Sequence, residues 1–326
     1  MTDNFIAPKP KTGAPYDTII IGSGPAGLTA GIYTTRGALS TLILGGTKWG
    51  GQLMLTTEVE NYPGFPEGIQ GLELMEKFRS QAARFGAEIK LEDVESVDFS
   101  QRPFKVNAGN MGYEGKSVII ATGADTIWLG LESEQKLIGR GISSCAPCDA
   151  PFFREKRVVV VGGGDSAMEE AMVLTKYASE ITIIHRRDAF RASDIMQKKV
   201  LANPKIKVIW NSEIVEIMGE MRVMGVKIKN NQTNEVAEMP IDGVFVAIGH
   251  SPMTNIFQGK IELDEKGYVK KMINAKWPML NSLSSIEGVF VAGDVHDHHY
   301  KQAVTAAGFG CQAAMDCERW LESLKT

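Results

Sequence analysis

Apolar residues gather in this chain into short unbroken runs, several of which stop at a glycine. Thr18-Ile19-Ile20-Ile21, Val158-Val159-Val160-Val161 and Ile181-Thr182-Ile183-Ile184 do not alternate with polar residues, so they predict strands buried on both faces, as in a parallel sheet. The first run leads into Gly22-Ser23-Gly24-Pro25-Ala26-Gly27, and Leu28, Ala30, Ile32 and Tyr33 then follow at helical spacing. The second leads into Gly162-Gly163-Gly164-Asp165-Ser166-Ala167, followed by Met168, Ala171, Met172 and Leu174. Strand, glycine turn and helix in that order form a nucleotide-binding fingerprint. The first glycine permits the turn, and the second lets backbone approach a pyrophosphate. The third, replaced by Ala167 in the second copy, lets helix and strand pack, and the helix N-terminus then faces the phosphates.

Each copy closes alike, with Ile119-Ile120-Ala121-Thr122-Gly123 for the first and Val246-Ala247-Ile248-Gly249 for the second. The expected fold is therefore α/β, with two Rossmann-like nucleotide-binding domains. After the second turn, the place of the ribose-binding acid is taken by His185-Arg186-Arg187, with Arg191 close behind. Guanidinium forks there suit the 2′-phosphate of NADP, which an NAD ribose lacks. The bland alternative is a solvated basic loop partly neutralised by Asp188. After the first turn no acid occurs until Glu58, and the glycine-dense loop Gly45-Gly46-Thr47-Lys48-Trp49-Gly50-Gly51-Gln52 intervenes, so spacing alone leaves that dinucleotide unidentified. Near the end, a strand through Val289-Phe290-Val291-Ala292-Gly293 delivers Asp294, ahead of a helix expected to start around Gln302-Ala303-Val304. A carboxylate there can accept from sugar-alcohol hydroxyls, and a helix N-terminus can stabilise negative charge on a reduced ring.

Between the turns stands Ser144-Cys145-Ala146-Pro147-Cys148-Asp149. A Cys-x-x-Cys pair can close into an exchangeable disulfide with a depressed thiol pKa, or serve as half of a zinc site. A zinc site would need two further ligands at suitable spacing. Cys311 and Cys317, six apart on an expected helix, cannot pair and read as buried inert thiols. The run His296-Asp297-His298-His299 sends consecutive side chains in different directions and reads as loop rather than metal site.

Composition narrows the class further. The 326 residues suit two domains, with 44% hydrophobic and 23% charged residues as in ordinary soluble proteins. The net charge of -4 gives no reason to expect nucleic acid or an anionic membrane as partner. No apolar run is long enough to span a bilayer, and residues 1–15 read as a flexible polar tail without a secretory core. Cytoplasm is the expected compartment.

Together these motifs resemble the low-molecular-weight thioredoxin reductases across about Tyr16 to Leu324. The markers are Gly22 to Gly27, Gly50-Gly51-Gln52 with Thr57 to Gly64, the Cys145/Cys148 pair, Gly162 to Glu170, His185 to Arg191, and Gly293 to Ala303. The resemblance implies a discontinuous FAD domain of residues 16–124 and 249–326, with an NADPH domain of residues 125–248 inserted in it, each a three-layer ββα fold. It implies FAD at Gly22, Ser23, Gly24, Pro25, Ala26, Gly27, Gly45, Gly46, Gly50, Gly51, Gln52, Asn61, Gly123, Gly293, Asp294, Lys301, Gln302 and Ala303. NADPH is implied at Gly162, Gly164, Asp165, Ser166, His185, Arg186, Arg187, Arg191, Ile248 and Gly249. The implied activity is NADPH-dependent reduction of thioredoxin or a thioredoxin-like protein through FAD and a Cys145–Cys148 disulfide, in a homodimer. Cys148 would face the flavin, Cys145 would attack the partner's disulfide, and Asp149 would act as the acid. Rotation of the NADPH domain about Gly123 and Gly249 would separate the half-reactions. Pro147 and Ala150 depart from the pattern, which has Gly at position 150. A reductase of a glutaredoxin-like or peroxiredoxin-linked partner would share every motif. A redox-sensing flavoprotein without turnover would have no need of the hydride-donor site.

Overall fold

In a computed structural model, residues 5–272 and 276–325 are described. The described chain divides into two compact units, residues 1–125 with 251–326 and residues 126–250. Its helices, in chain order, are α1 (Pro25–Arg36), α2 (Gly71–Arg84), α3 (Glu132–Leu137), α4 (Ala146–Asp149), α5 (Asp165–Leu174), α6 (Asp194–Leu201) and α7 (Ala303–Ser323).

The first unit is built on a sheet in the order Glu88–Lys90, Thr41–Leu44, Tyr16–Ile21, Met111–Ile120, Phe104–Ala108 and Val94–Asp98, with Val289–Val291 also on Met111–Ile120. The strands from Glu88–Lys90 to Val289–Val291 run parallel, whereas Val94–Asp98 and Phe104–Ala108 are antiparallel additions. The long strand Met111–Ile120 therefore starts in an antiparallel meander and ends in the parallel core. Its burial follows suit: alternate residues are exposed at the start, while Ser117 to Ile120 are buried. On one face Ile20, Ile43 and Ile119 pack with α1 and α7 residues such as Leu28, Ala314 and Trp320. On the other, Ile19, Ile21 and Leu42 pack against Phe104, Val106 and Tyr113 of the meander. Helices, parallel sheet and meander make the three expected layers.

Close approach of α7 to α1 depends on small side chains. A methyl group on Gly310 would overlap the backbone of Ala26, and Ala306 and Ala313 beside it are buried. In the first described residues, Ala7 is buried and its N–H donates to Phe85 at 2.8 Å. The tail is thus tied down at that point.

The second unit repeats the plan. Five parallel strands run Ile142–Ser143, Gly243–Val246, Arg157–Val161, Glu180–Ile184, Ile206–Ile209. A three-stranded antiparallel sheet, Ser212–Met218, Gly225–Asn230 and Val236–Pro240, supplies the meander. Phe245, Val158 and Val160 face α5 and Ala146 on one side. Val159, Val244 and Val246 face Ile217, Val226 and Ile228 on the other. The segments linking the units include Ala124–Thr126 and His250–Pro252, which pair as a two-stranded ribbon. Gly123 and Gly249, at φ 77° and 122°, stand immediately before these strands. Among the described residues, no helix is long and apolar enough to cross a membrane.

Candidate functional site

The two glycine turns have the same internal geometry. Gly22 N–H donates to Leu44 at 2.9 Å, and Gly162 N–H donates to Ile184 at 3.2 Å. Ala121 N–H donates to Ile21 at 2.8 Å, and Ala247 N–H donates to Val161 at 2.9 Å. Gly22 and Gly162 both have positive φ, and a methyl on either would strike the carbonyl of Ala121 or Ala247. By contrast, a methyl on Gly24 or Gly164 would meet nothing within 4 Å. Each of these is the residue before α1 or α5 and makes no side-chain cap. The middle glycines therefore leave open space beside an uncapped helix N-terminus, the place a pyrophosphate takes. Pro25 is the first residue of α1, where a missing N–H costs nothing. Ala26 and Gly27 are buried behind it.

Ser23 joins the first turn to the Gly45 loop. Its hydroxyl donates to the Gly45 carbonyl at 2.8 Å and accepts from the Gly50 N–H at 3.1 Å. Gly46, Gly50 and Gly51 all have positive φ. Gln52 follows on a short helical turn and donates to Asp125 at 2.8 Å. The last segment reaches the same unit from far away in sequence, for Asn61 Nδ2 donates to Gln302 Oε1 at 3.2 Å. Gln302 precedes α7 and closes a capping box with Thr305. Lys301 has φ 49°, and the carboxylate of Asp297 accepts the N–H groups of His299, Tyr300 and Lys301. Asp297 had carried no role in the sequence reading, and its work here is to shape the loop leading to α7. A methyl on Gly293 would press on Ala26, which brings the Gly293–Asp294 turn against the first nucleotide helix.

Asp294 is the telling residue of this group. Its Oδ1 is buried and, among the described residues, has no hydrogen-bond partner. Burial first, and then the charge of Asp297, pushes its carboxyl up to about 7. A buried acceptor left without a donor is costly unless a ligand supplies one. The open Gly24 position, the glycine-dense loop tied to it and this orphan oxygen together fit the polyhydroxy chain and pyrophosphate of a flavin nucleotide. His296 Nε2 is also buried and has no partner among the described residues; burial and the neighbouring Lys271 push that imidazole down to about 4, so it is neutral. Among the described residues, no cluster of His, Cys, Asp or Glu could hold a metal ion.

Around the second turn, Arg186, Arg187 and Arg191 are exposed, and among the described residues none forms an ion pair. Asp188 therefore does not neutralise them. The Arg191 N–H donates to the Gly163 carbonyl at 2.7 Å, which fixes this loop beside the turn. Asp165, first residue of α5, accepts from Ser193 at 2.9 and 2.7 Å. Ser166 is exposed one step further. His185 differs from the arginines. Its ring lies on Gly163, where any Cβ would overlap it. It also packs near Phe190 and Trp210, and its Nε2 is 3.1 Å from the Ala189 carbonyl. Burial, with the adjacent arginines, pushes its pKa below the usual histidine value. His185 thus braces the turn as a neutral ring, and the cationic surface belongs to the arginines. Ile248 and Gly249 follow the closing strand, with Ile248 exposed.

Cys145 and Cys148 form a disulfide with Cα atoms 5.3 Å apart. Cys145 immediately precedes α4, and its carbonyl accepts the N–H groups of Cys148 and Asp149 at 3.2 and 3.1 Å. Cys145 N–H in turn donates to Ser143 Oγ at 3.0 Å. Pro147 lies exposed within α4, and Ala150 is buried just after it. Desolvation raises the Asp149 carboxyl above its ordinary value, opposed by a hydrogen bond with Ser143. The sequence reading missed Glu170 of α5, whose Oε2 accepts the N–H of Ala146 between the two cysteines. The signal was an acid amid the buried stripe Ala167, Ala171 and Leu174, which places one carboxyl on the core side of the helix.

Of the two remaining thiols, Cys317 is buried as expected and Cys311 is not. Cys317 is buried, within 3.3 Å of Thr18 Oγ1 and 3.0 Å of Ser117 Oγ, and desolvation pushes it up to about 11. Cys311 is only partly buried and lies against Met315 at 3.8 Å, because it sits one and two-thirds turns back on α7 and so on another face.

The sequence pattern of the family described as pyridine nucleotide-disulphide oxidoreductase matches residues 16–310. A thioredoxin reductase of Mycolicibacterium smegmatis is 50% identical over 306 residues, covering 94% of this chain and 96% of that protein. One from Rickettsia conorii is 51% identical over 308 residues, covering 93% and 97%. The solved thioredoxin reductase of Giardia duodenalis superposes with a TM-score of 0.88 at 43% identity, covering 94% of this chain and 99% of that one.

Proposed function

Since this chain belongs to the pyridine nucleotide-disulphide oxidoreductase family, we propose that it uses NADPH and bound FAD to reduce the disulfide of thioredoxin. The observation that carries the reading is the Cys145–Cys148 disulfide, held at the start of a short helix in the unit that also carries the second glycine turn. The near-50% identity to thioredoxin reductases over almost the whole chain supports thioredoxin above other small redox proteins as the partner. A pyridine nucleotide fits the second turn, where Gly164 offers open space and Asp165 and Ser166 start α5. Arg186, Arg187 and Arg191 favour the extra phosphate of NADPH. FAD would be held by Gly22 to Gly27, the Gly45 to Gln52 loop, Asn61, Gly123, and Gly293 to Ala303.

When bound, the flavin stores two electrons between the hydride donor and the disulfide. Cys145, freed on reduction, attacks the partner's disulfide as a thiolate; Cys148 then closes on Cys145 to release the reduced partner. The partner's departing sulfur needs a proton, and Asp149, next to Cys148 in α4, would give it. Desolvation raises this carboxyl, so it holds a proton to higher pH than an exposed aspartate does.

Both the nucleotide turn and the cysteine turn belong to the inserted unit, while the flavin cradle belongs to the other. Rotation of the inserted unit about Gly123 and Gly249 between half-reactions follows from that division. A disulfide or bifunctional crosslink that pins the two units is expected to slow turnover severely, and full-speed turnover of the pinned protein refutes rotation. The activity itself is tested by NADPH oxidation by the flavin-loaded protein with thioredoxin, a glutaredoxin or a peroxiredoxin-linked protein as acceptor. The expected result is rapid turnover with thioredoxin. Preference for either other acceptor reassigns the partner, and slow oxidation indifferent to every acceptor favours a sensor.

A further inference from the structure

Glu170 is a part-buried acid that the reaction above does not use. It sits on α5, which packs against α4, the short helix bearing Cys148 and Asp149. One carboxyl oxygen accepts the N–H of Ala146, a fully buried residue within the Cys145–Cys148 turn. We propose that Glu170 is a positioning residue of disulfide exchange: it anchors the cysteine turn through Ala146 and, as a second carboxyl acting on Asp149, sets how many protons that corner holds.

The surroundings suit this role. From α4 the charged group acting on Glu170 is Asp149, and from its own helix it is Glu169. The other packed elements bring no cation to it. Arg157 begins its strand exposed, Glu180 is engaged with Lys207 at 2.6 Å, and the turn Ala150–Phe153 has no charged residue. On α6, Asp194, Lys198 and Lys199 are exposed, and among the described residues Glu170 has no ion pair. Desolvation and the charge of Asp149 push Glu170 up to about 7, against the pull of the Ala146 bond. Below that pH Glu170 holds its proton; above it a second negative charge acts on Asp149 and opposes ionisation of Asp149 and of the nearby thiols.

The proton count balances over a full exchange. Two enzyme thiols become the Cys145–Cys148 disulfide while the partner's disulfide becomes two thiols. Each attacking thiol gives up a proton and each departing thiolate takes one, so the carboxyl pair ends as it began.

This inference rests on the disulfide-reductase reading, and its test separates the two. Single-turnover exchange between the prereduced holoenzyme and oxidised thioredoxin is followed against pH for wild type, Glu170→Gln and Glu170→Ala. The wild-type rate is expected to change through an ionisation near neutral pH. Gln keeps an oxygen for the Ala146 N–H but cannot ionise, so its profile is expected to lose that step. Ala loses the bond as well and is expected to be slower than Gln by about tenfold. Asp149→Asn, which removes the neighbouring charge, is expected to move the step to lower pH. A neutral step retained in Glu170→Gln overturns the inference, as do Gln and Ala variants with identical rates and profiles. No exchange by wild type would overturn the reading beneath it instead. Should the Ala variant fail to fold, comparison of wild type with Gln still decides. A carboxyl infrared band titrating near neutral pH in wild type and missing from Glu170→Gln gives a second readout.

Discussion

Replacing Cys148 with serine is expected to abolish NADPH-driven reduction of thioredoxin, by about a thousandfold or more, while NADPH still bleaches the flavin absorbance. The loss follows from sulfur chemistry. An alkoxide is too poor a leaving group, and a serine hydroxyl too weak an acid, to take part in exchange at neutral pH, so the Cys145 thiol alone cannot cycle. The turn itself should survive, because the bonds from Cys148 and Asp149 N–H to the Cys145 carbonyl are backbone bonds that serine retains. Anaerobic NADPH titration followed by the thioredoxin-coupled assay separates the two events. Disulfide reduction surviving in the variant would remove the vicinal pair from the route.

The second large effect concerns the nucleotide. The double variant Arg186→Ala/Arg187→Ala is expected to lose about a hundredfold to a thousandfold in kcat/KM for NADPH while changing little for NADH. Charge-assisted hydrogen bonds to a phosphate contribute about 1.5–3 kcal/mol each, and two of them in the lower part of that range give a factor of that size. The geometry favours a clean result. The arginines are exposed and free of ion pairs among the described residues, so their removal strands no buried charge. The loop stays fixed by the Arg191 N–H to Gly163 and by Ser193 to Asp165. An equal loss for both nucleotides would mean that these side chains hold the fold or the shared diphosphate rather than the distinguishing 2′-phosphate. His185→Ala is not equivalent to them, because its neutral ring fills the space over Gly163.

The parts of the site readable in advance are those whose geometry is local. Gly22 and Gly162 lie within a few residues of the strand and helix they join, so the run of apolar residues, the positive φ and the following helix are all written in one short stretch. The same holds for Cys145 and Cys148, whose disulfide needs only the turn between them. The expected start of α7 at Gln302 and Ala303 rested on local pattern too, and Gln302 is its capping residue. The reading failed where a side chain's surroundings come from another element. Cys311 and Cys317 share one helix, but which of them is buried depends on the face that α7 turns toward Thr18 and Ser117. His185 stands in the basic run expected to meet the phosphate, and its ring's packing between a strand end and a glycine turn is a contact that spacing did not show.

The sequence by itself determined the fold class, the twin nucleotide turns, the redox pair and the basic loop, because each follows from steric and hydrogen-bonding rules acting over a few consecutive residues. Tertiary structure alone decided that Asn61 meets Gln302 across 241 positions, that Asp294 keeps a buried oxygen with no partner among the described residues, and that Glu170 reaches into the cysteine turn. Those outcomes depend on burial and on the approach of elements distant in the chain. Desolvation, which turns an ordinary acid into one with a near-neutral pKa, is a property of the packed interior that sequence spacing does not carry.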